Sequence, residues 1–446
     1  MTTLSATVRL RVWLRVWPLL LASALAGCMV TPMPDEPAPE PVPAEPFVPY
    51  RFALTEDTQV IGQLYYTRVR DEQTLLDIAR AYDLGYDDII AANPGVDPWT
   101  PAAGERVLLP LAHVLPDAPR QGIVINLAAR RLFYFPPVAP GASVKQGAPT
   151  EVITHPIGIG REGWSTPLGT TKVAKKHDGP AWTVPASILR EHAAKGEPLP
   201  AVVPPGPDNP LGSHALRLGW SSILIHGTNK PAGIGMRVSH GCIQLYPEDI
   251  EPLFAAVPEG TPVRVVDQPY LAGFGADGLV LEAHAPASAG GAKAQARQAL
   301  ARAVKAQRME VAIDWEAVRT LAAERRGYPL PVAAEEGVDR EAYLAGLSEA
   351  PPLDPPPLAL PESGEWFVDL GRFEYERSAR KLVAMLRYQG PAIPALRVAR
   401  DGEFQVLAGP WATRAEATVA ARRIARDLEE DGRVVRLPEA ELSARL

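Results

Sequence analysis

Cysteine is scarce in this sequence, with only Cys28 and Cys242 in 446 residues. A structural disulfide framework is thereby excluded, and each cysteine needs a local reason. Long basic runs are missing as well, and a formal net charge of -7 speaks against broad nucleic-acid binding. The N-terminal apolar run VWPLLLASALAG is about a dozen residues, short of the roughly 20 that a membrane-spanning helix needs. No His-Glu-x-x-His motif offers a zinc site with its own base. Proline, by contrast, is abundant: 48 residues, about twice the usual share. A chain of this length predicts two to four domains.

Arg9, Arg11 and Arg15 precede the apolar run, and small residues lead into Cys28. That order marks an export signal. Leu25-Ala26-Gly27-Cys28 resembles the lipobox of bacterial lipoproteins. The resemblance implies that residues 1–27 are removed and Cys28 is lipidated. Met29 in the next position implies an outer-membrane anchor facing the periplasm. Residues 28–60 predict a tether, whose near-alternating proline stretch TPMPDEPAPEPVPAEPFVPY extends at about 3.1 Å per residue to roughly 60 Å.

Residues 62–110 predict a compact βααβ unit. GQLYYTRV is strand-like, and Leu75, Ile78, Ala79 and Tyr82 follow a helical period. Thr74 with Asp77 predicts a capping box. A second helix over YDDIIAAN stops at Asn93-Pro94, and GERVLLP closes with a strand. This order, with the Thr74-Leu75 start, Ile89, Asn93 and the Gly104–Pro110 close, resembles a LysM domain, implying binding of glycans such as peptidoglycan. Glu72-Gln73 stands where that family usually has Gly-Asp.

Residues 121–267 are rich in short β runs separated by turns and predict a mostly-β domain. Residues 282–363 predict a linker with helices, opening on the small-residue stretch AHAPASAGGAKAQ and ending Pro-rich. Residues 364–446 predict two β-α-β passes. Val368, Leu370-Gly371, Phe373, Ala379, Leu382, Leu386, Val406, Gly409-Pro410 and Glu416-Ala417 resemble a SPOR domain, a small ferredoxin-like α/β fold that binds stripped peptidoglycan glycan. Asp369 replaces the glutamine common there. The resemblance implies enrichment at division sites.

The chemistry gathers in IHGTNKPAGIGMRVSHGCIQLYPEDI, residues 225–250. In an oxidising compartment a lone Cys242 is a buried inert thiol, a metal ligand or a nucleophile. His214, His226 and His240 could complete a ligand set with it, although the spacing matches no recognised zinc pattern. A nucleophile needs a histidine to generate the thiolate. His240 shares a strand face with Cys242, and His226 returns through the turn TNKPAGIG. Gly241 permits an unusual backbone, so the N–H groups of Gly241 and Cys242 are candidate oxyanion donors.

The string HGT…SHGCIxL resembles the signature of the L,D-transpeptidase catalytic domain, also called YkuD-like. Asn126-Leu127, Leu132–Tyr134, Gly158-Ile159-Gly160, Thr166-Pro167-Leu168-Gly169 and Asn209-Pro210-Leu211-Gly212 extend it over about 145 residues. It implies a β-sandwich-like fold and cysteine acyl transfer on peptidoglycan stem peptides, with no metal or other cofactor. Carried over, Cys242 is the nucleophile, and His226 is the base and then the acid, oriented by the Gly227 carbonyl. His240, Gly241 and Cys242 shape the oxyanion site, Ser239 and Thr228 support it, and Thr228, Arg237 and Gln244 lie on the substrate side. Gln244 stands where arginine or asparagine is usual. The acyl acceptor is a stem amine, a lysine of a wall-attached lipoprotein, or water.

Overall fold

The computed structural model describes residues 47–137, 150–194, 198–220, 222–287, 292–307, 310–334, 339–356, 364–388, 392–400 and 402–438. The export signal, Cys28 and most of the tether lie outside the described residues.

The strand–helix–helix–strand order read from residues 62–110 is present. Tyr65–Arg68 and Arg106–Leu109 pair antiparallel, and the helices Leu75–Ala81 and Tyr86–Ala92 lie between them in sequence. Thr74 Oγ1 accepts from the Asp77 N–H at 3.0 Å, and Asp77 Oδ2 accepts from the Thr74 N–H at 2.9 Å, forming the capping box. Asn93 stops the second helix and ties it to the closing strand, donating to Ile89 O and Leu108 O and accepting from the Leu108 N–H. Glu72 holds φ 62°, a left-handed conformation that glycine adopts without steric cost.

The central domain is built on a nine-stranded sheet. In spatial order it runs Arg51–Ala53, Glu151–Pro156, Arg131–Phe135, Gly122–Asn126, Pro262–Val266, Gly169–Asp178, His214–Leu218, Leu224–His226 and Ile243–Gln244. The long strand Gly169–Asp178 pairs with Pro262–Val266 through its first residues and with His214–Leu218 through its last, so it joins the two halves. The partner changes between Lys172 and Val173, and a bulge follows between Val173 and Lys175 within the second pairing. The apolar residues of both halves meet in one core that includes Ile123, Leu132, Leu216, Ile225, Ile243 and Ile250. Burying each such side chain stabilises by about 1.5–3 kcal/mol.

Residues 282–363, expected as a linker with helices, do carry helices, and the described ones at 292–307 and 315–324 are packed rather than slack. The hairpin Tyr270–Gly275 and Gly278–Ala283 pairs onward with Leu330–Pro331. The helices Ala292–Gln307 and Trp315–Glu324 pack on this sheet, burying Ala296, Ala299, Leu300, Ala303, Val318 and Leu321. The alanines let the first helix lie close to the strands; they are a packing surface, not slack.

The C-terminal unit has the order βαββαβ. Its sheet runs Ala395–Arg400, Glu403–Trp411, Trp366–Phe373, Arg433–Arg436, with the helices Glu376–Tyr388 and Arg414–Leu428 supplying Leu382, Leu386, Ala417 and Ile424 to the core. Asp369 accepts from the Gly371 N–H at 3.0 Å and lies 3.6 Å from the Arg433 guanidinium.

Candidate active site

The strands Leu224–His226 and Ile243–Gln244 pair in parallel, with Ile225 opposite Ile243 and His226 opposite Gln244. Ile225 and Ile243 are both 0 % exposed and point into the core. Because successive side chains alternate, His226 and Gln244 fall on the opposite face, and so does Cys242 where the strand begins. The register therefore brings the sequence-predicted pair to one side of the sheet edge.

His226 is buried, and its Nδ1 lies 2.6 Å from Gly227 O. A carbonyl only accepts, so the ring proton sits on Nδ1 and Nε2 keeps its lone pair. Burial lowers the His226 pKa to about 4, although hydrogen bonds to the Gly227 and Leu211 carbonyls oppose the shift. The ring is thus a neutral base near pH 7. Asn209-Pro210-Leu211-Gly212 holds the second carbonyl in place. The buried Asn209 side chain donates to Pro180 O at 2.8 Å and accepts from the Leu211 N–H at 2.9 Å. Gly212 has φ 68°, and a methyl group there would come 2.8 Å from the Thr228 nitrogen. No other residue fits that turn.

Cys242 is half-buried, and its thiol donates to Ser222 O across 3.6 Å. Burial raises the thiol pKa, with a hydrogen bond from the Leu224 backbone pulling the other way. The resting pair is therefore thiol and imidazole, not thiolate and imidazolium.

Two hydroxyls fix the backbone before the cysteine. Thr166 Oγ1 donates to Gly241 O at 2.9 Å, and Ser239 Oγ donates to Cys242 O at 2.6 Å. Gly241 has φ 99°, which a side chain would resist. One expectation needs correcting: the Gly241 N–H donates to Ser239 Oγ at 3.2 Å and is engaged inside the loop. With the Gly241 carbonyl held on Thr166, the trans peptide turns the Cys242 N–H the opposite way. That N–H is the remaining candidate oxyanion donor.

His240 occupies a different setting from the one expected. Arg161 donates to its Nε2 at 2.9 Å, Glu191 Oε2 lies 3.3 Å away, and Trp164 packs edge-on at 4.8 Å. Burial lowers its pKa, opposed by the bond to Glu191 and assisted by the Arg161 charge. Arg161, Trp164 and Glu191 escaped the sequence reading, since none is marked by a motif of catalytic residue types. Thr228 Oγ1 accepts from the Lys230 N–H at 2.9 Å. The exposed Arg237 donates to Ala287 O at 2.7 Å. Gln244 exchanges both backbone hydrogen bonds with Gly158, and a methyl group on Gly158 would come 3.0 Å from Gln244 Oε1. His214 packs on Phe254, apart from the Arg161–Glu191 setting of His240. Among the described residues one group could hold a metal ion: the buried Asp83, His155 and Asp249, with ligand atoms within 4.8 Å of one another. It includes neither Cys242 nor His226.

The L,D-transpeptidase catalytic domain (YkuD) family matches residues 120–265, and the SPOR domain family matches residues 362–436. The chain is 44 % identical to a probable L,D-transpeptidase, YbiS, of Escherichia coli (strain K12), over 52 % of this chain and 74 % of that relative. It is 42 % identical to the probable L,D-transpeptidase YcfS of the same strain, over 52 % of this chain and 71 % of the relative. To the probable L,D-transpeptidase ErfK/SrfK of that strain it is 42 % identical, over 52 % and 73 %. The catalytic-domain match spans the sheet edge that carries His226 and Cys242, and by these similarities this chain belongs to the L,D-transpeptidase family, with a SPOR domain in its C-terminal part.

Proposed function

We propose that Cys242 and His226 carry out acyl transfer on peptidoglycan stem peptides. One observation carries the reading above all: a buried neutral His226, its Nδ1 fixed on Gly227 O, shares a sheet face with Cys242. His226 Nε2 takes the thiol proton as sulfur attacks the carbonyl of the third stem residue. The tetrahedral oxyanion meets the Cys242 N–H. Collapse expels the terminal D-alanine, whose amine takes the proton back from His226 and leaves a thioester. An incoming amine then gives up its proton to His226 and displaces the Cys242 sulfur, which takes that proton back as a thiol, leaving a new amide. Ser239, Gly241 and Thr166 fix the loop carbonyls so that this donor points at the reacting atom, and His240 braces the loop through Arg161. Thr228 and Gln244 build the cleft wall, and Arg237 meets stem carboxylates at its rim.

In this reading, the βααβ unit at 62–110 is LysM-like and, with the SPOR domain, holds the enzyme on its polymer, enriched at division sites. Cys28 carries lipid that anchors the chain in the periplasm at the outer membrane. Incubating the purified chain with wall fragments and sorting products by mass should show loss of D-alanine together with cross-linked stems or protein-linked stems. Fragments left unchanged would end this reading. The anchor has its own test: Cys28→Ser should move the protein from the membrane fraction to an unprocessed or soluble form. An unacylated native protein, soluble in the periplasm, would contradict the anchor alone.

A further inference from the structure

The segment joining His226 to Cys242 does not lie free over the sheet. The Tyr86 N–H, opening the helix Tyr86–Ala92 of the N-terminal βααβ unit, donates to Ile234 O at 2.9 Å. Gly85 meets Gly235 backbone to backbone: a methyl group on Gly85 would come 2.6 Å from the Gly235 Cα. Gly235 itself has φ 85° and donates to Ile157 O at 3.2 Å. Neither glycine can be enlarged without moving one unit from the other.

The same unit grips the chain just after the cysteine. Arg80, with a side chain 7 % exposed, donates through Nε and Nη2 to the two oxygens of Glu248 at 2.6 and 2.8 Å. Tyr246 donates its hydroxyl proton to Leu84 O at 3.0 Å. Asp83 Oδ2 lies 3.1 Å from His155 Nδ1, which is 3.5 Å from Asp249 Oδ1. Contacts from residues 80–86 thus land on both sequence flanks of Cys242, at Ile234–Gly235 and at Tyr246–Asp249.

We propose that Arg80, Gly85 and Tyr86 are positioning residues for acyl transfer: the 62–110 unit is a fixed wall of the catalytic machinery that sets the loop between His226 and Cys242. The physical reason is the loop itself. Residues 228–241 contain Gly233, Gly235 and Gly241, so the connection has high conformational entropy unless something holds it. A part-buried two-point Arg–carboxylate contact is geometrically specific. A displacement of about 1 Å at a reacting group can cost about a hundredfold in rate. Holding the loop from outside the catalytic domain thus acts on the chemical step. The inference rests on reading Cys242 as the acyl-forming nucleophile.

The test uses the full chain and the rate at which a carbapenem, a β-lactam that acylates this family, adds its mass to Cys242. The dependence on drug concentration separates binding from the acylation step. Arg80→Ala and Glu248→Ala should each lower the limiting acylation rate about tenfold, with little change in half-saturation. The double variant should be no slower than either single one, and Arg80→Lys, keeping charge but losing the two-point contact, should fall between. Gly235→Ala should lose more, and if it fails to fold the Arg80–Glu248 cycle decides. Melting curves at the assay pH establish that the variants compared are folded. Folded variants that acylate at the parental rate, or effects that add in the double variant, overturn the inference and leave the nucleophile standing. A parent chain that takes no label at all overturns both.

Discussion

Cys242→Ala should abolish carbapenem acylation outright, because neither a thiol nor a hydroxyl remains at the position. His226→Ala should keep the reaction but slow it about 10²–10⁴-fold, the usual contribution of a general base. The half-buried thiol of Cys242 has a raised pKa, so it does not ionise unaided near neutrality. Raising the pH should therefore partly rescue His226→Ala, but only above the ordinary thiol range of about 8.5. The parent enzyme has a different profile. His226, lowered to about 4 by burial, is fully deprotonated near pH 7, so the acid limb should appear only as pH falls through about 4. Rates of adduct formation by intact mass between pH 3 and 10 check all three statements. A parent limb near pH 6–7 would mean an unburied base, and an unrescued His226→Ala would mean that the ring acts by holding substrate or by protonating the leaving group.

The pair was legible in the sequence because chemistry-bearing residue types stand at a fixed spacing around glycines. The capping box of Thr74 and Asp77 was legible for the same kind of local reason. That residues 292–307 turn helical was legible as well, but their packing was not, since alanine suits a slack helix and a close-packed one equally, and only the strands beneath decide. The hairpin Tyr270–Ala283 has a local mark in Asp277-Gly278, where the glycine holds φ 80° just past the turn. Long-range partners leave no local mark. Arg80 and Glu248 are 168 residues apart, and the Gly85–Gly235 approach involves no side chain at all. The Arg161–Glu191 support of His240 is hidden in the same way.

Asp83→Asn should reshape the dependence of stability on pH. Burial pushes the Asp83 carboxyl up to about 8; the Arg131 charge and a hydrogen bond with Asp249 oppose the shift, while Glu248 and Asp88 add to it. Asp249, facing it, is also held well above the ordinary carboxylate range, first by burial and then by Asp83. An acid with a raised folded-state pKa binds its proton more tightly in the folded chain than in the unfolded one. Its contribution is complete below the unfolded value near 4, declines as pH rises, and is lost once pH passes about 8. A shift from near 4 to about 8 corresponds to at most roughly 6 kcal/mol. Asparagine keeps the size, tolerates the left-handed backbone of Asp83 (φ 54°) and cannot ionise. Melting temperatures between pH 5 and 9 should therefore fall steeply for the parent and less for Asp83→Asn, the variant being the more stable at pH 9. Parallel curves would mean that Asp83 is ionised in the folded chain, with its charge balanced by Arg131. A crossing would show that the contact between the 62–110 unit and the catalytic domain is held by a carboxyl proton, and that alkaline pH loosens the wall beside Cys242.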